Sequence, residues 1–491
     1  MTALRPYPAY KDSGIDWLGE VPEHWEVRWL GTFGRFFKGS GGTKADETDE
    51  GIPCVRYGDL YTRHQFHITE SKACVAPHRA GAYTPVRYGD VLFAGSGETL
   101  DEIGKSAVNL IRRSAVCGGD VIVFRPTIDV DAEFIGWSTD CRQAAFHKAR
   151  MGRGMTVMHI YSSDLKRLAV PLPPLPEQTA IARFLAHAGR RIRRYIRAKE
   201  KLISLLEEQK QAIIHEAVTG QIDVRTGQPY PAYQDSGVEW LGEVPRHWEV
   251  SRLGTIVNLT VGFPFKSEGF TQSDDDIRLL RGVNIAPGGL RWETVVRWSA
   301  QDVDSFMEYR LRVGDIVMGM DRPIIQGGTR VAVITPSDVP SLLLQRVARI
   351  RVGEALARDF AIALLGGKGF SDYLVPIFTG ISVPHLSPEQ IKCFRFALPS
   401  VSEQRTIMGH VQSRTDAIQS AIAAAAKQIR LLGEYRSRLI ADVVTGKVDV
   451  REAAASLPDA DSAVGTNQLG AGPAESHAHA PEYDIAKEAI P

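Results

Sequence analysis

The chain has 491 residues, of which 44% are hydrophobic and 24% are charged, a composition typical of globular domains with packed cores. This length favours two to four domains over a single one. The 58 basic and 58 acidic side chains cancel, which excludes a generally polycationic protein but leaves room for local basic patches. The five cysteines are widely spaced and form no CxxC pair, so we expect free thiols, no disulfide framework and no zinc site.

The N-terminal segment lacks the apolar core of a signal peptide. No stretch approaches the roughly 18 apolar residues of a membrane span. We therefore expect a cytoplasmic protein with no membrane partner.

The chain opens with a segment that recurs in its second half. Residues 6–33 and 229–256 are identical at 21 of 28 aligned positions, at an offset of 223 residues. Tyr10, Trp17 and Trp25 stand out as apolar anchors between turn residues. We interpret the segment as a docking motif; the alternative is that Trp17 or Trp25 stacks directly on a nucleic-acid base.

The two parts that follow, residues 34–153 and 257–379, resemble each other far less. Both alternate short Val-, Ile- and Leu-rich runs with Gly- and Asp-containing turns, and each holds one helical stretch, so both are predicted to mix α and β structure. One local match places Gly154 and His159 opposite Gly380 and His385. No Cys, Asp or Glu recurs beside them at ligand spacing, which favours packed or hydrogen-bonded histidines over a metal site.

A second repeat closes each half. Residues 172–225 and 398–451 align without a gap at an offset of 226, and both are predicted to form a helix of about 40 residues, or about 60 Å. Apolar residues recur at alternating steps of three and four, which is the seam of a coiled coil. The predicted seam contains Ile181, Leu185, Ala188, Ile192, Tyr195, Leu202, Leu206 and Ile213 in the first copy and Ile407, Val411, Ile418, Ala421, Ala425, Leu432, Tyr435 and Leu439 in the second.

The simplest way to bury the apolar seams of both helices is to pair the two helices antiparallel. This pairing would relate the two halves of the chain by a pseudo-twofold axis. Pairing between chains, or with a partner helix, remains open. The fold class is therefore α+β: a mixed domain at residues 1–170, a helix at 171–225, a second mixed domain at 226–397 and a second helix at 398–451. Residues 452–491 lack periodicity and are expected to be a disordered tail.

The motif nearest to a catalytic signature is Gly104-Lys105-Ser106. A phosphate-binding loop requires a glycine five residues before Gly104, but Thr99 stands there. The repeated segments hold packing residues and no reactive constellation, so the residues alone indicate a binding or scaffolding protein.

Basic side chains are dense in the loops of both mixed domains. Arg and Lys on loops of a rigid scaffold suit contacts to phosphates and base edges, although an ordinary solvated surface is the simpler interpretation of any one of them. The candidate DNA-binding residues are Lys38, Lys44, Arg63, Lys105, Lys148, Arg150, Arg153, Lys266, Arg281, Arg322 and Arg330.

The layout resembles the specificity subunit of type I restriction-modification systems. The resemblance rests on the paired openings with Asp-Ser-Gly at 12–14 and 235–237, and on Val-Pro-x-His-Trp at 21–25 and 244–248. It also rests on the helix lead-ins that end in Glu-Gln at 177–178 and 403–404, and on Val-Thr-Gly at 218–220 and 444–446. It covers residues 1–451. One departure is Ser400-Val401-Ser402, which replaces Pro174-Leu175-Pro176 in the second lead-in.

The resemblance implies that each variable part is a target recognition domain that reads one half of a split site in double-stranded DNA. The helices would set the spacing and dock two modification subunits, and restriction subunits would complete the complex. S-adenosylmethionine, ATP and Mg would then bind those partners and not this chain, which would be non-catalytic. The spacer and docking candidates are Glu177, Gln178, Ile181, Leu185, Ile192, Leu202, Leu206, Glu403, Gln404, Ile407, Ile418, Leu432 and Leu439.

Two other classes of protein remain as alternatives. The chain could be a coiled-coil assembly protein whose variable domains bind protein or peptide. It could also be an enzyme with an unrecognised site in a variable domain.

Overall fold

The computed structural model describes residues 4–42, 44–99, 102–154, 158–325, 327–378 and 384–458. The chain divides into two compact units, of which unit 1 comprises residues 1–195 and 431–491 and unit 2 comprises residues 196–430. Each unit thus contains one mixed domain, the start of one long helix and the end of the other. Both long helices have 44 residues, slightly more than predicted.

The described part of the chain contains twelve α-helices. They are α1 Leu30–Phe33, α2 Tyr57–Thr62, α3 Ala132–Asp140, α4 Arg142–Met151, α5 Ser162–Leu165, α6 Leu175–Val218, α7 Leu253–Ile256, α8 Arg358–Leu365, α9 Lys368–Leu374, α10 Pro388–Lys392, α11 Val401–Val444 and α12 Arg451–Ala455. Gly220 and Gly446 follow α6 and α11 with φ of 74° and 78°, a left-handed conformation that ends a helix and that glycine adopts without strain.

Two five-stranded sheets form the mixed domain of unit 1. Its strands are β1 Tyr10–Asp12, β2 Glu20–Pro22, β3 Glu26–Trp29, β4 Gly34–Lys38, β5 Glu47–Thr48, β6 Ile52–Val55, β7 Phe66–Ile68, β8 Cys74–Val75, β9 Thr84–Val86, β10 Val91–Ala94, β11 Ser96–Gly97, β12 Ser106–Asn109, β13 Ala115–Cys117, β14 Val121–Pro126, β15 Met158–His159 and β16 Ala169–Leu172. The first sheet has the order β4-β14-β10-β12-β7 and the second β5-β8-β6-β13-β9. Strands β10 and β14 are buried on both faces, which explains their continuous apolar sequence.

Unit 2 repeats the plan with a smaller sheet. Its strands are β17 Tyr233–Asp235, β18 Glu243–Pro245, β19 Glu249–Arg252, β20 Val257–Val261, β21 Ile277–Leu280, β22 Ile285–Ala286, β23 Gly289–Leu290, β24 Arg297–Trp298, β25 Ile316–Gly319, β26 Ile324–Ile325, β27 Gly328–Thr329, β28 Val331–Val333, β29 Ser341–Leu343, β30 Val347–Val352 and β31 Arg395–Leu398. The main sheet has the order β20-β30-β25-β28. In this sheet β25 pairs antiparallel with both β30 and β28, as β10 does with β14 and β12 in unit 1.

The opening segment docks as the sequence predicted. In unit 1 the Trp25 side chain is fully buried, and the Tyr10 hydroxyl donates to the Gly446 carbonyl at 3.2 Å. In unit 2 the Tyr233 hydroxyl donates to the Gly220 carbonyl at 3.1 Å. Trp17 stacks on His147 within unit 1, with ring centroids 5.9 Å apart. These contacts use the aromatic rings for packing inside each unit.

Within each unit the beginning of one long helix packs against the end of the other. In unit 1, Ile181 and Leu185 of α6 share a buried cluster with Leu439 and Val443 of α11. In unit 2, the last residues of α6 share a cluster with Ile407 and Val411 of α11. The paired segments therefore run antiparallel, and the fold is α+β with two mixed domains and two long helices.

The seam of the long helices differs from the prediction near its middle. Tyr195, Leu202 and Tyr435, predicted to lie in the seam, are 54%, 39% and 50% exposed. Ile196 and Ile203 are half-buried in α6 instead. A helix with 3.6 residues per turn drifts away from a strict seven-residue repeat, so the buried line advances by four residues from Ile192 to Ile196. In α11 the same shift exposes Ala421, a predicted seam position, and half-buries Ile422 and Arg436.

The first residues of the predicted disordered tail are ordered. Helix α12 begins at Arg451, and Ala454 is buried in the core of unit 1. The carbonyl of Leu457 accepts a 2.6 Å hydrogen bond from the Arg183 guanidinium. The rest of the tail, residues 459–491, lies outside the described residues, as does Gly380.

Candidate nucleic-acid interface

One point of the fold brings a repeated histidine to the end of a central strand in both units. In unit 1, Ser96 follows β10, and its Oγ lies 3.0 Å from Nδ1 of His159. In unit 2, Asp321 follows β25, and its Oδ1 lies 2.6 Å from Nδ1 of His385. The two histidines that the sequence aligned thus occupy equivalent places and are hydrogen-bonded, as predicted.

In unit 2 this point also gathers two arginines. Nη1 of Arg346 donates to Oδ1 of Asp321 at 3.1 Å, and the Arg322 side chain is exposed beside it in sequence. Arg322 and Arg346 have φ of 43° and 66°, the left-handed region that residues with a Cβ rarely adopt. Arg322, Asp321, Arg346 and His385 are called the arginine cluster below.

Arg330 supports the arginine cluster from the inside. Its side chain is 8% exposed, and its guanidinium donates to the carbonyls of Ile285 at 3.0 Å and Asp321 at 3.1 Å. Arg281 also points inward, because it donates to the carbonyl and hydroxyl of Thr294 at 2.9 Å. These two candidates therefore hold loops in place, whereas Lys266 and Arg322 are exposed.

Two of the unit 1 candidates turn inward as well. The Lys148 side chain is fully buried, and its Nζ lies 2.9 Å from both Oδ1 of Asp140 and Oγ of Ser106. Lys105 contacts the other oxygen of Asp140 at 2.7 Å. Burial lowers the pKa of Lys148, and the charge of Asp140 opposes that shift. The DNA-binding prediction for Lys148 is corrected accordingly, and the Gly104-Lys105-Ser106 motif belongs to this buried network.

Four other unit 1 candidates, Lys38, Arg63, Arg150 and Arg153, reach the surface. Lys38 is 72% exposed, and Arg153 is 70% exposed. Arg63 is 41% exposed and pairs with Asp59 one helical turn away, while Arg150 is exposed on α4. The backbone of Lys44 lies in a short 3-10 turn, and its side chain is outside the described part of the structure.

The candidates predicted on the long helices comprise apolar seam residues and polar residues at the helix starts. Ile181, Leu185, Ile192, Ile407, Ile418 and Leu439 are buried, Leu206 and Leu432 are half-buried, and Leu202 is exposed. Gln178 and Gln404 are buried at the helix starts, where their side chains cap backbone groups of their own unit: Gln178 accepts from the Asp131 amide and Gln404 from the Ala357 amide. They connect the helix to the mixed domain and offer no free surface to a partner.

The two glutamates of the helix lead-ins form a repeated junction. Glu177 accepts hydrogen bonds from the Tyr7 hydroxyl at 2.5 Å and the Trp25 indole at 3.1 Å, and lies 2.8 Å from His24. Burial and this carboxylate raise the pKa of the Tyr7 hydroxyl. In unit 2, Glu403 accepts from Tyr230 at 2.9 Å. Both glutamates were candidates for partner docking, but they point inward and fix each helix to its opening segment.

The sequence did not indicate Arg346 or Asp321 as candidate site residues. The repeated His385 was a usable signal, because its hydrogen-bond partner had to be polar in both units. Nothing in the sequence predicted the left-handed backbone of Arg346, because the residues that adopt this conformation are normally glycine or asparagine.

Within the described part of the chain, no group of three or more His, Cys, Asp or Glu side chains is arranged to hold a metal ion. None of the described helices combines the length and apolar character that crossing a membrane requires.

Residues 22–202 match the family model of the type I restriction modification DNA specificity domain. The chain is 24% identical over 434 residues to the MjaVIII specificity subunit of Methanocaldococcus jannaschii, an alignment that covers 88% of this chain and 94% of that protein. The chain is thus similar to type I specificity subunits along most of its length, and residues 22–202 match their DNA specificity domain.

Two further comparisons show the same similarity. The chain is 34% identical over 209 residues to the EcoAI specificity subunit of Escherichia coli, which covers 42% of this chain and 34% of that one. A solved chain from work on complex assembly and conformational transition of the type I R-M system superposes with a TM-score of 0.57 at 17% identity. That superposition covers 86% of this chain and 98% of the other, and it supports the fold.

Proposed function

We propose that this chain selects the DNA sequence on which a type I restriction-modification complex acts. Each unit would read one half of a bipartite site. The observation that supports this most directly is the duplicated plan: a histidine meets the end of the central strand in both units, while the polar groups around it differ. A shared scaffold with different loop chemistry suits the reading of two different half-sites.

The long helices would set the distance between half-sites and dock two modification subunits. Restriction subunits would join that assembly. The exposed apolar side chains at the middle of the helices, Tyr195, Leu202, Leu205, Leu431 and Tyr435, suit protein contacts. The partners would bind S-adenosylmethionine, ATP and Mg and perform methylation, translocation and cleavage. The cytoplasm, where the DNA lies, is the compartment we propose.

The mechanism would be direct readout by exposed loop side chains, with phosphate contacts setting the register. Lys38, Arg150, Arg153 and Lys266 are exposed and are assigned to phosphates or base edges. The buried Lys148 and Arg330 would contribute indirectly: Lys148 fixes helix α4 to Asp140 and Ser106, and Arg330 holds the backbone at Ile285 and Asp321. Since an enzyme cannot reach a base inside the stack, base flipping by the modification subunits would follow recognition.

The test is selection of random duplex DNA by the full chain, alone and assembled with modification subunits, followed by sequencing and by titration at several salt concentrations. We expect a split motif, and we expect log affinity to fall by about 0.9 per phosphate contact for each tenfold rise in salt. Recovery of no split motif would contradict the proposal. Binding that does not depend on salt would favour the coiled-coil assembly protein with peptide-binding domains.

A further inference from the structure

We propose that Arg322 and Arg346 read guanine bases in the half-site bound by unit 2, with Asp321 and His385 as positioning residues. The proposal rests on the function proposed above. It goes further by assigning a specific site, the arginine cluster, and a specific base chemistry. Arg346 was not a candidate on sequence grounds, and neither was Asp321.

The backbone conformation is the first observation. Three non-glycine residues in the described part of the chain have positive φ, and two of them are Arg322 and Arg346. A left-handed backbone at a residue with a Cβ costs free energy and persists where the surroundings impose it, most often at functional sites. An ordinary surface ion pair requires no such conformation, so the strain argues that the direction of both side chains matters.

The surroundings that impose this conformation come from three chain segments. The Arg322 amide donates to the Pro384 carbonyl at 2.7 Å, and the Met320 amide donates to the Arg346 carbonyl at 2.9 Å. The Asp321 carboxylate contacts both His385 and Arg346, and its backbone carbonyl accepts from Arg330. The loop that carries the arginines is thus pre-organised, as a site that reads bases at fixed geometry must be.

Charge and exposure point to the ligand. The Arg346 side chain is 56% exposed although it is paired, and the Arg322 side chain is exposed. The cluster contains one carboxylate, that of Asp321, and two guanidinium groups, so it keeps a net positive charge. A guanidinium presents two parallel N–H donors that match O6 and N7 of guanine in the major groove, which is the commonest specific base contact of arginine.

The equivalent position in unit 1, next to His159, has different polar side chains. Ser96 stands where unit 2 has Asp321, and the nearby arginine, Arg153, contacts Asp164 at 3.3 Å. Both units therefore use one architectural position, but they present different polar groups there. This is the expected pattern if the position distinguishes the two half-sites.

The experiment is motif selection from random duplex DNA with the full chain assembled with modification subunits, comparing wild type with Arg322→Lys and Arg346→Lys. Lysine keeps the charge and loses the bidentate fork. We expect each variant to lose about 5- to 150-fold preference for one guanine in the unit 2 half-site, with the other half-site unchanged. Exchange of residues 34–153 identifies which half-site belongs to unit 1.

Arg358→Lys is the matched control, because Arg358 lies in unit 2, is 50% exposed and also pairs with an aspartate. It should leave the motif unchanged. Arg322→Gln and Arg346→Gln, each checked for an unchanged melting temperature, provide a second pair of variants. An unaltered unit 2 half-site in these variants, or a half-site without a G·C pair, would overturn the assignment and leave the proposed function intact. A wild-type chain that selects no split motif would instead contradict the function itself.

Discussion

Lys148 shows how far the role of one residue depends on its surroundings. It lies in a basic stretch that suggested a DNA contact, yet its Nζ is buried against Asp140 and Ser106. Without Lys148, the buried Asp140 carboxylate keeps one ionic partner, the partly exposed Lys105. A buried charge that loses its buried partner destabilises the fold strongly. We expect Lys148→Ala to lower the free energy of unfolding by about 3–5 kcal/mol, measured by urea denaturation.

Arg150→Ala is the control for Lys148→Ala, because it removes an exposed cation from the same helix. Its effect on stability should stay within about 0.5 kcal/mol, while its affinity for DNA should fall. If Lys148→Ala proved as stable as the control and weakened DNA binding, Lys148 would be a contact residue after all.

His67 links the stability of unit 1 to pH. Its ring packs on Trp137 with centroids 4.7 Å apart, and its Nε2 lies 3.0 Å from the Glu133 carbonyl. Burial lowers its pKa below the usual 6.5. Between that lowered value and 6.5, the unfolded chain binds a proton that the folded chain excludes, so falling pH favours unfolding.

We therefore expect stability to be retained above pH 6.5 and to decline below it, with a contribution from His67 of up to about 1.4 kcal/mol per pH unit. Urea denaturation at a series of pH values measures the slope. His67→Asn should reduce it, whereas substitution of the exposed His78 by Asn should not. Equal slopes for both variants would exclude His67 as the source.

At the scale of elements, the main feature is the junction at which Glu177 connects helix α6 to the opening segment. Because Glu177 is 6% exposed and accepts from Tyr7 and Trp25, Glu177→Gln replaces a charged acceptor by a neutral one. We expect it to destabilise the junction by about 1.5–3 kcal/mol and to speed amide hydrogen exchange in residues 5–25. The exposed Glu200→Gln on the same helix is the control. Unchanged exchange in Glu177→Gln would mean that the junction does not depend on the charge.

The helices themselves supply a second prediction. Inserting seven residues into the middle of both α6 and α11 keeps the seam in phase and lengthens each helix by about 10 Å. At about 3.4 Å per base pair, the DNA spacer should grow by about three base pairs. Motif selection measures the spacer, and a same-length exchange of exposed helix residues serves as control. A spacer that stays constant would contradict the proposal that the long helices set the distance between the half-sites.

Sequence reasoning was most effective where the chain repeats itself. The duplicated openings and lead-ins predicted two domains of one plan and two long helices. It was least effective where the outcome depends on distant contacts. The burial of Lys148 depends on Asp140 of another helix, and the seam shift at Ile196 depends on true helical pitch. The left-handed backbone of Arg346 depends on three segments far apart in sequence.

At the scale of the whole molecule, the central claim is that each unit reads its own half-site independently. The division into two units, each with its own cores and its own strand-end histidine, supports this. The most direct test is to replace residues 34–153 with the corresponding segment of a related specificity subunit and to select the motif of the assembled complex. We predict a changed half-site on one side, with the other half-site and the spacer retained. A change in both half-sites would contradict independent readout.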